Sequence, residues 1–204
     1  MPKTIKGVRC ASLGILKGIL DKWIDANIRI VHAWREQEDV PWWYNERAAI
    51  GVLAAAAWRA RGFAFEEFTA DKSSGCKGQP KYHGRIDLYL KAGKQQFIAE
   101  AKWCWSGALR AGVGTTRHMG QALKTACKDV RRCPSNGQRK LGILFVMPYI
   151  PNTEQNNVDQ HISEWLAALK RVECSCSAWV FPKESRQFGR KDICPGVAVL
   201  IQEV

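Results

Sequence analysis

The chain has 204 residues, of which 46% are hydrophobic, and it contains no internal repeat or low-complexity segment. This length and composition suit one domain with an ample core. The 31 lysines and arginines against 19 aspartates and glutamates give a formal net charge of +12. Such an excess favours a polyanionic partner, because nucleic-acid affinity comes largely from cations that neutralise phosphates. An ordinary basic surface is the alternative interpretation.

The sequence shows no sign of export or membrane insertion. Residues 1–6 lack the apolar region and cleavage site of a signal peptide. No stretch approaches the roughly 18 apolar residues that a membrane span requires. The eight cysteines are therefore predicted to be mostly free thiols in a reducing cytoplasm, with no membrane partner. A zinc site at Cys174, Cys176, Cys194 and His161 is an alternative, but the usual Cys-x2-Cys pairs are missing.

Two helices are predicted first along the chain. Apolar residues at helical spacing predict a helix over residues 13–37. Pro41 suits the start of a second helix, over about 42–61, which is rich in alanine and ends at Gly62. So many alanines permit close packing against a sheet.

A strand, a loop and a hairpin follow the helices. Residues 63–69 predict a strand and 72–81 a polar, glycine-containing loop. Two apolar strands, 84–90 and 97–103, are separated by a turn at 92–95.

The rest of the chain completes an alternation of helices and strands. The remaining predicted elements are a basic glycine-containing loop, a helix, a buried strand, a helix and two short strands, at residues 106–116, 116–132, 141–149, 154–171, 178–181 and 197–202. The predicted fold class is therefore α/β, with a mixed central sheet sandwiched by helices.

The hairpin carries charges where core strands should have none. If its turn pairs Lys91 with Gln96, Asp87 falls opposite Glu100. Like charges directly opposite each other are destabilising. Because side chains alternate along a strand, Lys102 shares a face with Glu100.

This register indicates a cation site. Alternation puts Asp87 on one face of its strand and Ile86, Leu88 and Leu90 on the other. Two carboxylates aimed at one point suit a hard divalent cation, which takes oxygen ligands. Lys102 could then orient or help deprotonate an attacking water.

The order of these motifs resembles the PD-(D/E)xK nuclease superfamily, which has the restriction-endonuclease-like fold. A helix with an early glutamate precedes a strand, then Gly-Arg-Ile-Asp at 84–87 and Ile-Ala-Glu-Ala-Lys at 98–102. Ile86 stands where the family name has proline. The resemblance covers a core of about 42–150 within a single domain, 1–204. The N-terminal helix, 13–37, and the C-terminal helix and strands, 154–202, lie outside that core.

The resemblance implies roles for individual residues. Metal ligands would be the carboxylates of Asp87 and Glu100 and the backbone carbonyl of Ala101. Lys102 would act on the water. Glu46 would complete the ligands of the implied metal ion, Mg²⁺. Mn²⁺ would substitute for Mg²⁺.

A further residue implied by the resemblance is Gln121, on the helix that follows the motif. Some members carry a glutamine there, followed one turn later by a tyrosine. Thr125 replaces that tyrosine.

The expected function is that of a Mg²⁺-dependent nuclease, an endonuclease whose substrate is double-stranded DNA. The resemblance is compatible with a homodimer, the form in which many restriction-type members cut both strands. The alternative is a non-catalytic nucleic-acid-binding module or a complex subunit with the same fold.

Overall fold

The predicted helices and strands form a mixed α/β sheet in a computed structural model that describes residues 3–72, 82–189 and 191–204. The strands are β1 (Ile5–Cys10), β2 (Phe63–Lys72), β3 (Tyr82–Ala92), β4 (Gln95–Gly107), β5 (Arg139–Pro151), β6 (Cys176–Phe181), β7 (Asp192–Ile193) and β8 (Val197–Glu203). The helices are α1 (Lys17–Ala33), α2 (Glu46–Arg59), α3 (Val113–Arg131) and α4 (Val158–Lys170).

Seven strands form one path in the order β1-β6-β8-β5-β4-β3-β2, and β7 pairs with β5 at the side of that path. Strands β4 and β5 are parallel, and α3 connects them. The other described pairs are antiparallel. The sheet is therefore mixed, as the sequence predicts.

Helices cover both faces of the sheet. One buried cluster joins Trp23 of α1 and Leu53 of α2 to Phe145 of β5. The other joins Trp165 of α4 to Leu144 of β5, and it includes the apolar side of α3. The continuous apolar run of β5 is explained by this arrangement, because its alternating side chains enter two cores. The predicted α/β class is confirmed.

An additional strand and a longer β2 are among the differences from the sequence-based expectation. Strand β1 is an edge strand that the sequence pattern did not reveal, since its pairing partner, β6, lies far along the chain: Ile5 pairs with Phe181. Lys72, which was predicted to begin a loop, is instead the last residue of β2 and pairs with Tyr82. The rest of the predicted loop, 73–81, lies outside the described residues.

The helix α3 lies very close to the sheet beside the hairpin. A Cβ placed on Gly142 of β5 would lie 2.6 Å from Cys127 Sγ and 2.7 Å from the Cys127 backbone nitrogen. Gly142 is the register partner of Glu100 on β4. The missing side chain at Gly142 therefore lets α3 approach the strand that carries Glu100 and Lys102.

Candidate active site

The β3–β4 hairpin has the register that its sequence predicts. Lys91 pairs with Gln96, and the ladder continues to Leu88 opposite Ala99. Asp87 is the first residue of β3 beyond that ladder. The backbone N–H of Ala101 donates to Asp87 Oδ2 at 2.8 Å, so the carboxylate rather than a strand carbonyl accepts this bond.

The faces of β3 change at Asp87, and here the prediction from simple alternation is wrong for one residue. Leu88 and Leu90 belong to the core under α1 and α2, whereas Ile86 packs with Val130 of α3. The β2–β3 pairing passes from Glu66–Leu88 to Phe68–Ile86, and the intervening Glu67 has a φ of +52°. The change of face therefore coincides with a left-handed backbone conformation in β2.

Glu67 also ties the start of α2 to the two strands. Its carboxylate accepts from Arg47 Nη2 at 2.5 Å and from Arg85 Nη1 at 2.7 Å. These hydrogen bonds, from Arg47 first and then from Arg85, lower the pKa of Glu67. Because Arg47 follows Glu46 in the chain, the contact helps to fix the first turn of α2 beside the end of the hairpin ladder.

Glu100 is the buried acid of the site, with 6% of its surface exposed. Its Oε1 accepts from Lys72 Nζ at 2.6 Å and from the Cys133 thiol at 3.2 Å. Burial raises the pKa of Glu100, and the negative charge of Asp87 adds to that rise, while the hydrogen bond from Lys72 opposes it. The buried carboxylate therefore depends on neighbouring cations for its ionised form.

Lys102 points to the same side of β4 as Glu100 and meets α3. Its Nζ lies 3.0 Å from Asp129 Oδ2, and the two side chains are 34% and 30% exposed. Burial alone would lower the pKa of Lys102, but the Asp129 hydrogen bond and the charges of Asp129, Glu46 and Asp87 outweigh it and raise that pKa. Lys102 is therefore an ammonium ion at neutral pH.

Glu46 approaches the cluster from the first turn of α2. Asn45 caps this helix by accepting from the Ala48 backbone N–H at 2.9 Å. The half-buried Glu46 has a raised pKa, chiefly because of burial. The charge of Lys102 opposes that rise, and the carboxylates of Asp87, Glu100 and Asp129 increase it. The groups that influence the pKa of Glu46 therefore include Lys102, Asp87 and Glu100 of the hairpin.

Gln121 is not part of this cluster. It is exposed on α3, where its backbone carbonyl accepts from the Thr125 hydroxyl at 3.2 Å. Asp129, the α3 residue that contacts Lys102, lies about two helical turns further along. Sequence reasoning missed Asp129, although it is the sole acid among the basic residues of this helix.

The carboxylate oxygens of the cluster suit Mg²⁺, but one of them, Oε1 of Glu100, is already in contact with a lysine. Asp87 and Glu100 offer hard carboxylate oxygens, and Mg²⁺ commonly takes one or two carboxylates and keeps several waters. Among the described contacts, Lys72 already holds Oε1 of Glu100. Within the described residues no group of three or more His, Cys, Asp or Glu side chains is arranged as a metal site. The zinc alternative therefore gains no support from these residues.

Basic and aromatic side chains lie on or near α3, β4 and β5. Lys124 and Lys128 of α3 are exposed, whereas Arg139 is held by Glu203. Trp105 and Tyr149 are 36% and 38% exposed. They help to line an open cavity of about 520 Å³ near the C-terminal ends of β4 and β5.

No helix in the described ranges is long and apolar enough to cross a membrane.

Comparisons with models of known families, with curated proteins and with solved structures find no match to this chain.

Proposed function

We propose that this protein is a Mg²⁺-dependent phosphodiesterase of the PD-(D/E)xK type, acting as an endonuclease on double-stranded DNA. One observation carries the proposal: the Asp87 carboxylate of β3 accepts from the Ala101 N–H of β4 at 2.8 Å, between Glu100 and Lys102, which lie on the same side of β4. The net charge of +12 supports a polyanionic substrate. The seven described cysteines are free thiols, which supports a reducing cytoplasm as the location.

Each side chain of the cluster has its own role in the proposed hydrolysis. Asp87, Glu100 and the Ala101 carbonyl would hold the cation, assisted by Glu46. Bound Mg²⁺ would supply Lewis acidity and charge neutralisation at the scissile phosphate. Lys102, whose ammonium lies 3.0 Å from Asp129 Oδ2, would orient the attacking water and stabilise negative charge. Asp129 fixes the position of the Lys102 ammonium.

Cleavage of supercoiled plasmid with Mg²⁺, with and without EDTA, tests this function. Lys102→Met and Asp87→Asn should each reduce the cleavage rate at least about 100-fold, since each removes a group that acts in the transition state. Lys94→Met is the matched control, because Lys94 is exposed at the hairpin turn. This variant should cleave at the wild-type rate. Metal-dependent cleavage that survives in Asp87→Asn and Lys102→Met would falsify the assignment.

A second candidate function is nucleic-acid binding without cleavage, as a module or a complex subunit. The observation that favours it is the ion pair between Lys72 and Glu100, which engages one of the two carboxylates. DNA binding that persists in EDTA, together with no cleavage in Mg²⁺ or Mn²⁺, would support this candidate. A homodimer stays a prediction, which light scattering of the purified chain tests.

A further inference from the structure

The proposed hydrolysis gives no role to Lys72, the lysine of the most buried lysine–carboxylate pair among the described residues. Lys72 Nζ lies 2.6 Å from Glu100 Oε1, and the two side chains are 11% and 7% exposed. Taking a lysine out of water is unfavourable unless its charge is well compensated. Lys72 is therefore a largely shielded lysine whose charge partner is Glu100.

The path of Lys72 to Glu100 depends on a glycine. Lys72 belongs to β2 and Glu100 to β4, with β3 between them. The lysine stem passes over Gly84 of β3, where an added Cβ would lie 2.9 Å from Lys72 Cδ and 3.3 Å from Cγ. The bare backbone at Gly84 thus lets the ammonium cross one strand and reach the next.

The position that Lys72 occupies is that of a cation beside two acids. Lys72 contacts Glu100, and the backbone N–H of the next residue, Ala101, donates to the Asp87 carboxylate at 2.8 Å, so the ammonium lies on the strand segment that holds both acids. A divalent cation on Glu100 would need the same oxygen or would be repelled by an ammonium about one contact distance away. Glu100 therefore cannot keep its full contact with Lys72 and also bind a divalent cation with full affinity.

We propose that Lys72 is an internal counter-ion that a divalent cation must displace from Glu100 when it binds. This inference rests on the proposed function and adds a regulatory step to the same site. In the metal-free protein the ammonium keeps the buried carboxylate balanced. On metal binding the contact breaks, so Lys72 sets the cation concentration at which the site fills.

The test measures binding of Mn²⁺ alone to the full chain by calorimetry, without nucleic acid. Lys72→Met should bind Mn²⁺ about tenfold more tightly than wild type, equivalent to about 1.4 kcal/mol, the scale of one charge-assisted hydrogen bond. Lys17→Met is the matched control. Lys17 also pairs with a carboxylate, Asp21, at 2.8 Å, but the pair is exposed on α1. Its removal should leave Mn²⁺ affinity unchanged.

Gly84→Ala provides a second variant that keeps every charge. Its methyl group would push against the Lys72 stem and weaken the contact with Glu100. Tighter Mn²⁺ binding is expected again, by a smaller factor than in Lys72→Met. Circular dichroism confirms that each variant is folded, and Gly84→Ala keeps the test decisive if Lys72→Met does not fold.

Each result has a distinct meaning. Tighter binding in Lys72→Met or Gly84→Ala, with Lys17→Met unchanged, supports the displacement. Unchanged or weaker Mn²⁺ binding in the folded variants overturns the counter-ion role and leaves the proposed metal-dependent function intact. Absence of Mn²⁺ binding in wild type and variants overturns both the inference and the metal site on which it rests.

Discussion

At the scale of single residues, the cluster is a balance between buried acids and the lysines that compensate them. Burial raises the pKa values of Glu46 and Glu100, so their ionised forms are disfavoured in the folded protein. Lys72 and Lys102 offset this with positive charge. Of the two raised acids, Glu46 forms no described hydrogen bond through its carboxylate. Glu46 is therefore the better residue at which to measure the free-energy cost of a buried carboxylate.

Glu46→Gln should stabilise the metal-free protein at neutral pH. A group whose pKa is raised on folding imposes no penalty below its unfolded pKa, here about 4.5, and imposes one as the pH rises through its folded pKa. The neutral amide removes that penalty. Thermal melting at pH 7.5 should give a higher Tm, by about 2–4 °C for each kcal/mol gained, and the gain should vanish near pH 4.

Glu36→Gln serves as the control for this variant, since Glu36 is exposed outside the cluster. Its Tm should differ little from wild type at either pH. A loss of Tm in Glu46→Gln at pH 7.5 would contradict the expectation. It would indicate that Glu46 acts mainly by meeting the positive end of the α2 dipole.

At the scale of elements, the site depends on how α3 and the hairpin meet. The β3–β4 ladder ends at Leu88 and Ala99, which frees the Asp87 carboxylate to accept from the backbone of β4. From the other side, α3 brings Asp129 to Lys102 and is followed by Cys133, which contacts Glu100. The close approach of α3 at Gly142 makes both contacts possible.

Gly142→Ala should separate α3 from the sheet. The new methyl group would meet the backbone of Cys127, which cannot move aside as a flexible side chain can. Overpacking of this kind costs about 1–3 kcal/mol of folding free energy. Urea unfolding measures the loss, and the proposed cleavage should also slow because Asp129 no longer holds Lys102 in position.

Gly120→Ala is the matched control on α3 itself. A Cβ at Gly120 would meet no atom within 4 Å. Alanine in a helix interior is favoured over glycine by roughly 0.5–1 kcal/mol, so this variant should gain stability. Equal effects of the two substitutions would show that close packing at Gly142 is unimportant.

At the scale of the whole molecule, the net charge of +12 governs association. Part of this charge is engaged internally: Arg139 is held by Glu203, and Arg186 contacts Asp159. The exposed lysines of α3 include Lys124 and Lys128. Because Asp129 of the same helix belongs to the cluster, these lysines lie on the element that borders the proposed site.

Binding of duplex DNA in EDTA should weaken steeply with salt. Neutralising phosphates releases counter-ions, and each phosphate contact contributes about 0.9 to the slope of log K against log salt. Replacing Lys124 and Lys128 together by glutamine should reduce that slope by about 2, measured by fluorescence anisotropy. Lys22→Gln, on the helix α1, should leave it unchanged. A slope near zero for wild type would contradict phosphate binding.

Features that depend on neighbours along the chain could be predicted from the amino-acid sequence. Helical periodicity identified α1 and α2, and a short turn fixed the pairing of Lys91 with Gln96. Once that register was set, Asp87, Glu100 and Lys102 followed from strand alternation.

The distant residues that complete the cluster are identified by the packing of the folded chain. Lys72 reaches Glu100 across an intervening strand, Asp129 reaches Lys102 from a packed helix, and Ile86 changes face beside the left-handed backbone of Glu67. None of these contacts leaves a periodic trace in the sequence, because each joins elements whose mutual position is set by packing. Local pattern gave the acids and the lysine of the hairpin, and long-range packing chose their charge partners.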